Sequence, residues 1–115
     1  MSEDNKVQAQ LKRQLKIKTG IVQRYLKELA LYKNETEDMQ RKVDKLLADG
    51  VEGWDLKNAR NMLEESKKMV PDTQGRLEKA VAELRDVTIQ AKLDTGMHES
   101  EEYLKADEAL EEAHL

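Results

Sequence analysis

The chain of 115 residues contains no cysteine, which removes disulfides, thiolate metal sites and cysteine nucleophiles from consideration. It contains no phenylalanine, and aromatic residues make up 3% of it, too few large side chains to fill a spherical core. Pro71 is the only proline and glycine occurs five times, so long stretches run without a helix breaker. No run approaches the roughly 18 apolar residues that a membrane span requires. The start, Met1-Ser2-Glu3-Asp4-Asn5, is acidic and polar and lacks the basic opening and apolar stretch of a signal peptide. A cytoplasmic protein that does not engage a membrane is the expectation.

What is present is charge. Asp, Glu, Lys and Arg reach 38%, and the hydrophobic share is also 38%. Ala, Leu, Glu, Lys, Gln and Arg dominate, and these are strong helix formers. An elongated helical bundle, with more surface per residue than a sphere, accommodates such a composition.

The breakers then divide the chain. Between Lys6 and Ala48 there is no proline, and Gly20 is the only glycine. Asp49-Gly50-Val51-Glu52-Gly53-Trp54-Asp55 is a break with two glycines, and Asp55 is suited to cap the next helix. A long segment runs from Leu56 to about Leu93. Asp94-Thr95-Gly96 is a second break, and a last helical segment comes after it. The expected elements are helix 1 at about 5–48, helix 2 at about 55–93 and helix 3 at about 99–113, in one domain spanning 1–115.

Each segment carries an apolar seam. In the first, Leu15, Val22, Leu29 and Val43 lie seven or fourteen apart. Leu11, Tyr25, Tyr32, Met39 and Leu46 form the companion row, and Lys18 and Thr36 interrupt the two. In the second, Leu56, Leu63, Val70, Leu77, Leu84 and Ala91 repeat every seven, with Ala59, Ser66, Thr73, Ala80 and Val87 as companions. The phase passes through Pro71 without a skip, which predicts one helix kinked there. Two collinear helices, the second capped by Asp72, are the alternative. In the third, Tyr103, Ala106, Leu110 and Ala113 keep the same spacing. Short breaks join the segments, so the predicted fold is all-α: an elongated antiparallel three-helix bundle with the second helix kinked at Pro71.

Catalytic chemistry is not signalled. The two histidines, His98 and His114, lack the i, i+4 pairing of a metal site and are expected to be solvated. Gly50 and Gly53 are not followed by the Gly-Lys-Ser/Thr of a phosphate loop. No catalytic residue, cofactor or metal is expected. Charge is uneven: six basic and no acidic residues lie between Leu11 and Lys27, against seven acidic residues and Lys105 from Thr95 onward. A net charge of −4 argues against a nucleic-acid partner.

Three stretches are more specific. Leu15-Lys16-Ile17-Lys18-Thr19-Gly20-Ile21-Val22, with Lys27-Glu28 beyond it, resembles the opening of the tubulin-binding cofactor A family. Trp54-Asp55-Leu56-Lys57 is similar to that family's aromatic-Asp-aliphatic-Lys start of the second helix. Leu63-Glu64-Glu65-Ser66-Lys67-Lys68-Met69-Val70-Pro71-Asp72, followed by Arg76-Leu77-Glu78, resembles its Glu-Ser, basic, Met, aliphatic, Pro-Asp run and the Arg-Leu-Glu after it. The resemblance covers Leu15 to about Leu93, in the family's order. Thr73 and Gly75 depart from the Cys and basic residue common there, and the chain before Leu11 is extended.

The resemblance implies a three-helix chaperone, monomer or homodimer, in the cytoplasm and associated with the cytoskeleton. It would capture and hold β-tubulin on the route to the αβ heterodimer, alongside other tubulin-folding cofactors, without nucleotide hydrolysis. A structural coiled-coil adaptor or oligomerisation module is the alternative that heptads alone allow. Candidate tubulin-contacting residues are Lys12, Arg13, Lys16, Lys18 and Arg24 on helix 1 and Glu64, Glu65, Lys68 and Asp72 around Pro71. The alternative for the basic run is pairing with helix 3 or plain solvation, and for Pro71 a purely structural bend. Met62 and Met69 are expected to widen the buried stripe, and Trp54 to fold over the loop onto helix 1. The seams leave few apolar residues for an interface, so charged faces are expected to carry binding.

Overall fold

The structure, a computed structural model, describes residues 3–94 and 96–113, and the reading of His114 lies outside them. The fold is all-α, with α1 at Glu3–Ala48, α2 at Trp54–Lys92 and α3 at Glu101–Ala113, and with no strand among the described residues.

Local chemistry sets the helix ends. Glu3 and Asp4 place negative charge at the positive end of α1. Its C-terminus closes as a Schellman motif: Val51 N donates to the Leu46 carbonyl at 2.9 Å and Gly50 N to the Leu47 carbonyl at 3.1 Å. That closure needs a left-handed residue, and Gly50 supplies it with φ 71°. Gly53, at φ 81°, then redirects the chain, and its carbonyl accepts from Lys57 N. α2 therefore begins at Trp54, one residue before the expected start, and Asp55 lies in its first turn rather than at the cap. At the other end, Ser100 Oγ accepts from Tyr103 N at 3.2 Å, a side-chain N-cap that starts α3 at Glu101 rather than near Glu99.

Pro71 lies inside α2, and the helix continues past it to Lys92. The reading as two separate helices does not hold. Proline removes one intrahelical bond, the one that would close on the Lys67 carbonyl, and the in-phase seam on either side holds the rest.

The chain packs as two compact units, Met1–Leu26 with Arg76–Leu115, and Lys27–Gly75. The first contains three helical segments. Gln8 Nε2 donates to Asp94 Oδ1 at 3.1 Å, and ten residues further along α1 Lys18 meets Glu83, eleven residues earlier on α2, so the two run antiparallel. Leu15 and Val22 from α1, Leu77, Leu84 and Ala91 from α2, and Ala106 and Ala109 from α3 are buried, with Met97 from the turn. Truncating a side chain such as Leu84 to alanine would cost about 2–5 kcal/mol. The buried face of α3 is centred on Ala106 and Ala109, and the expected Tyr103, Leu110 and Ala113 are half-buried beside it. Alanines there let α3 approach its neighbours closely.

The second unit is a two-helix hairpin. Its core is Val43, Ala59 and Leu63, with Met39, Leu46 and Leu56 packed against it. Leu29 is also buried. With no third helix, this hairpin leaves more of its flanks open. Met62 and Met69 are exposed rather than part of the buried stripe. Trp54 is 73% exposed and does not fold onto α1. It occupies the first helical position straight after Gly53, whose backbone geometry directs the chain.

Candidate interaction surfaces

The two polar interruptions in the α1 seam have separate explanations. Lys18 Nζ lies 3.2 Å from Glu83 Oε2, so the ammonium is matched across the α1–α2 contact. Thr36 Oγ1 donates to the Tyr32 carbonyl at 2.8 Å, one turn back on its own helix. His98 is exposed but tethered: its Nε2 lies 2.6 Å from the Lys92 carbonyl, which can only accept, and its ring sits 5.8 Å from that of Tyr103.

The candidate contact residues fall into two groups, one in each unit. Arg13, Lys16 and Arg24 are exposed on α1, Lys12 is half-buried, and Lys18 is committed to Glu83. The Arg24 guanidinium lies 4.9 Å above the Tyr25 ring. In the second unit Glu64, Glu65, Lys68 and Asp72 are all exposed. Lys67 Nζ is 3.6 Å from Glu64 Oε1, and Lys68 Nζ is 3.6 Å from Glu65 Oε1. Such exposed pairs are worth roughly 0–1 kcal/mol and exchange readily for a partner's charges.

Where α1 meets α3, a groove of about 480 Å³ is lined by Lys16, Thr19, Gly20, Gln23, Glu101, Glu102 and Lys105. Lys105 Nζ is 2.7 Å from Glu101 Oε1. That hydrogen bond, with the lysine's charge, holds the Glu101 carboxyl below its ordinary value, and the Lys16 charge adds to the effect. The same bond raises the Lys105 ammonium above its ordinary value. The basic stretch of α1 and the acidic helix are thus neighbours. Thr19 is 5% exposed, and its Oγ1 has no hydrogen-bond partner.

Ten large apolar side chains among the described residues are exposed, Ile17, Leu31, Leu47, Trp54, Met62 and Ile89 included. The seams therefore do not use up the apolar residues, contrary to the expectation from sequence. On one flank of the second unit Met39 and Met62 line a groove of about 490 Å³ with Glu35, Asn61, Glu65 and Ser66. On another, Lys33, Thr36, Glu37, Lys67, Val70 and Pro71 line one of about 330 Å³. Lys33 and Lys67 were not singled out by sequence reasoning. The available signal was a change at one heptad position, from threonine and leucine at Thr19 and Leu26 to a charge at Lys33.

No cluster of three or more His, Cys, Asp or Glu among the described residues is placed to hold a metal ion. No described helix is long and apolar enough to cross a membrane. Fold and surface together define a class: a helical protein whose features are charged and apolar helix faces. The sequence model of the family described as Tubulin binding cofactor A matches residues 10–110, so the chain belongs to that family. It is 38% identical over 103 residues to human Tubulin-specific chaperone A, covering 90% of this chain and 93% of the relative. Over 73 residues it is 42% identical to Tubulin-folding cofactor A of Arabidopsis thaliana, covering 64% of this chain and 65% of the relative. The crystal structure of the Arabidopsis thaliana tubulin folding cofactor A superposes with a TM-score of 0.85 at 32% identity, covering 92% of this chain and 97% of that one. The human tubulin chaperone cofactor A superposes with a TM-score of 0.76 at 36% identity, covering 91% and 99%.

Proposed function

We propose that the protein is a tubulin-folding cofactor that captures β-tubulin and holds it on the way to the αβ heterodimer. The observation that carries this reading is similarity along most of the chain, in sequence and in fold, to proteins named as tubulin chaperones and tubulin-folding cofactors. The family match spans residues 10–110, which supports treating the chain as one cofactor A-like domain. Binding takes place on helix faces and involves no covalent step or nucleotide hydrolysis. The protein works in the cytoplasm alongside the cytoskeleton, as a monomer or homodimer and together with other tubulin-folding cofactors. Lys12, Arg13, Lys16 and Arg24 on α1, and Glu64, Glu65, Lys68 and Asp72 on α2, are the charged contacts this reading assigns to the client, with Lys18 reserved for Glu83.

The experiment is a native gel shift with purified β-tubulin diluted from denaturant, without added nucleotide. A new, slower complex is expected. Its absence, with a human tubulin-specific chaperone A control forming one, would overturn the reading.

A further inference from the structure

In the first unit the contact between α1 and α2 has a covered flank. The covered residues stand four places after the first position of each heptad: Thr19 on α1, and Val81 and Thr88 on α2, are all buried. The α1–α2 seam alone does not bury that position. α3 is the further helix of this unit, and it lines a groove with Thr19. In the second unit the same heptad position holds Lys33, Gln40 and an exposed Leu47 on α1, and Arg60, Lys67 and Gln74 on α2. Lys33, Arg60 and Lys67 are exposed and the two glutamines half-buried. That flank is the groove of about 330 Å³ between Lys33 and Lys67, floored by Thr36 and Val70 and edged by Pro71.

The molecule shows what kind of element fits such a flank. α3 presents alanines to its neighbours, Ala106 and Ala109, and carries six carboxylates against the single cation Lys105. The open flank is the electrostatic complement of such a helix. Lys33 and Lys67 are the cations that line it, against the single lining carboxylate Glu37, which lies 3.7 Å from an Arg41 that also meets Asp38 at 2.7 Å. Small side chains on its floor suit an alanine-bearing helix.

The geometry points to the Lys33–Lys67 groove as the docking site for an acidic amphipathic helix of the folding client, occupying on this hairpin the flank that α3 occupies in the first unit. The assignment rests on the tubulin-folding reading above and adds to it a groove and a partner chemistry. Lys33 and Lys67 pair with carboxylates along the client helix, whose small residues lie over Val70 and Thr36. The contact of Lys67 with Glu64 is an exposed pair that the client exchanges for its own carboxylates.

The test is capture of purified β-tubulin by the full-length chain carrying K33E and K67E, beside a control carrying K57E and K79E, which changes net charge equally outside the groove. Circular dichroism verifies that both stay helical. Capture is expected to fall by roughly tenfold in K33E/K67E and to change less than twofold in the control. In the wild-type complex, carbodiimide, which joins amines only to carboxylates in contact with them, should link Lys33 or Lys67 to client Asp or Glu residues within one helix. If the wild-type chain captures no β-tubulin, the functional reading falls. If it captures β-tubulin but K33E/K67E does so equally, the groove assignment alone falls. Equal loss in the control, or cross-links confined to other lysines, also overturns the groove. So does a tubulin-independent dimer in sedimentation that K33E/K67E dissolves, because the occupant is then a second copy of this chain.

Discussion

Lys18 and Glu83 meet across the α1–α2 contact, Nζ to Oε2 at 3.2 Å, with their side chains 28% and 44% exposed. A lysine at a seam position is thereby tolerated, because its stem lies along the apolar row while its ammonium is matched at the edge. A double-mutant cycle with Lys18→Met and Glu83→Gln should give a coupling of about 0.5 kcal/mol, falling toward zero in 1 M salt. Urea unfolding of the four proteins measures it. A coupling near zero already at low salt would show that the pair does not secure the register.

Thr19 is expected to be a site of recoverable stability. Its buried hydroxyl has no partner, whereas valine has nearly the same shape without a polar group to desolvate. Thr19→Val should raise the unfolding free energy by about 1 kcal/mol. An unchanged or lower midpoint in chemical denaturation would mean that a bound water satisfies the hydroxyl.

Two kinds of glycine should respond oppositely. Gly20 and Gly75 lie inside helices with open space around the position a Cβ would take, so Gly20→Ala and Gly75→Ala should each stabilise by about 0.5–1 kcal/mol. Gly50 also has open space, but its φ of 71° closes the Schellman motif, so Gly50→Ala should destabilise by roughly 1–2 kcal/mol. Thermal unfolding of the three variants separates backbone conformation from crowding.

The Glu101–Lys105 pair predicts a pH dependence with two limits. Glu101 is lowered, so its contribution is present above the ordinary carboxylate value and is lost as pH falls through its folded value. Lys105 is raised, so its contribution is present below the ordinary lysine value and is lost as pH rises through its folded value. NMR titration of the Glu101 carboxyl should show the lowered value, and Lys105→Met should return it toward the ordinary range. A Glu101 titration indifferent to Lys105→Met would rule out the pair as its cause.

On the tubulin-folding reading, the combined reversal of Lys12, Arg13, Lys16 and Arg24 to glutamate should weaken β-tubulin capture, more strongly at low salt than at high. Trp54→Ala, Met62→Ala and Met69→Ala are the counter-test, since all three side chains are exposed. If those abolish capture while charge reversal and salt do nothing, the apolar faces carry binding.

The sequence by itself determined the helices, their seams and the turn between α1 and α2. Leu15, Val22, Leu63, Leu77 and Leu84 are buried as their seven-residue spacing requires, and the phase across Pro71 foretold one continuous α2. These features were legible because helix formation, apolar periodicity and glycine punctuation act over a few residues. Tertiary structure alone decided what depends on distant chain segments. The match of Lys18 with Glu83 exists only once α1 and α2 are side by side. Thr19, Val81 and Thr88 are buried in the first unit, where α3 lines a groove with Thr19, whereas Lys33, Arg60 and Lys67 at the same heptad position are exposed in the second. Trp54 stays outside because Gly53 turns the chain before it, and on α3 the buried face takes in Ala109 beside the expected Ala106 while Tyr103, Leu110 and Ala113 are half-buried. A heptad names the positions that face a neighbour, but whether a second neighbour covers the adjoining flank is settled by the packing of all three helices.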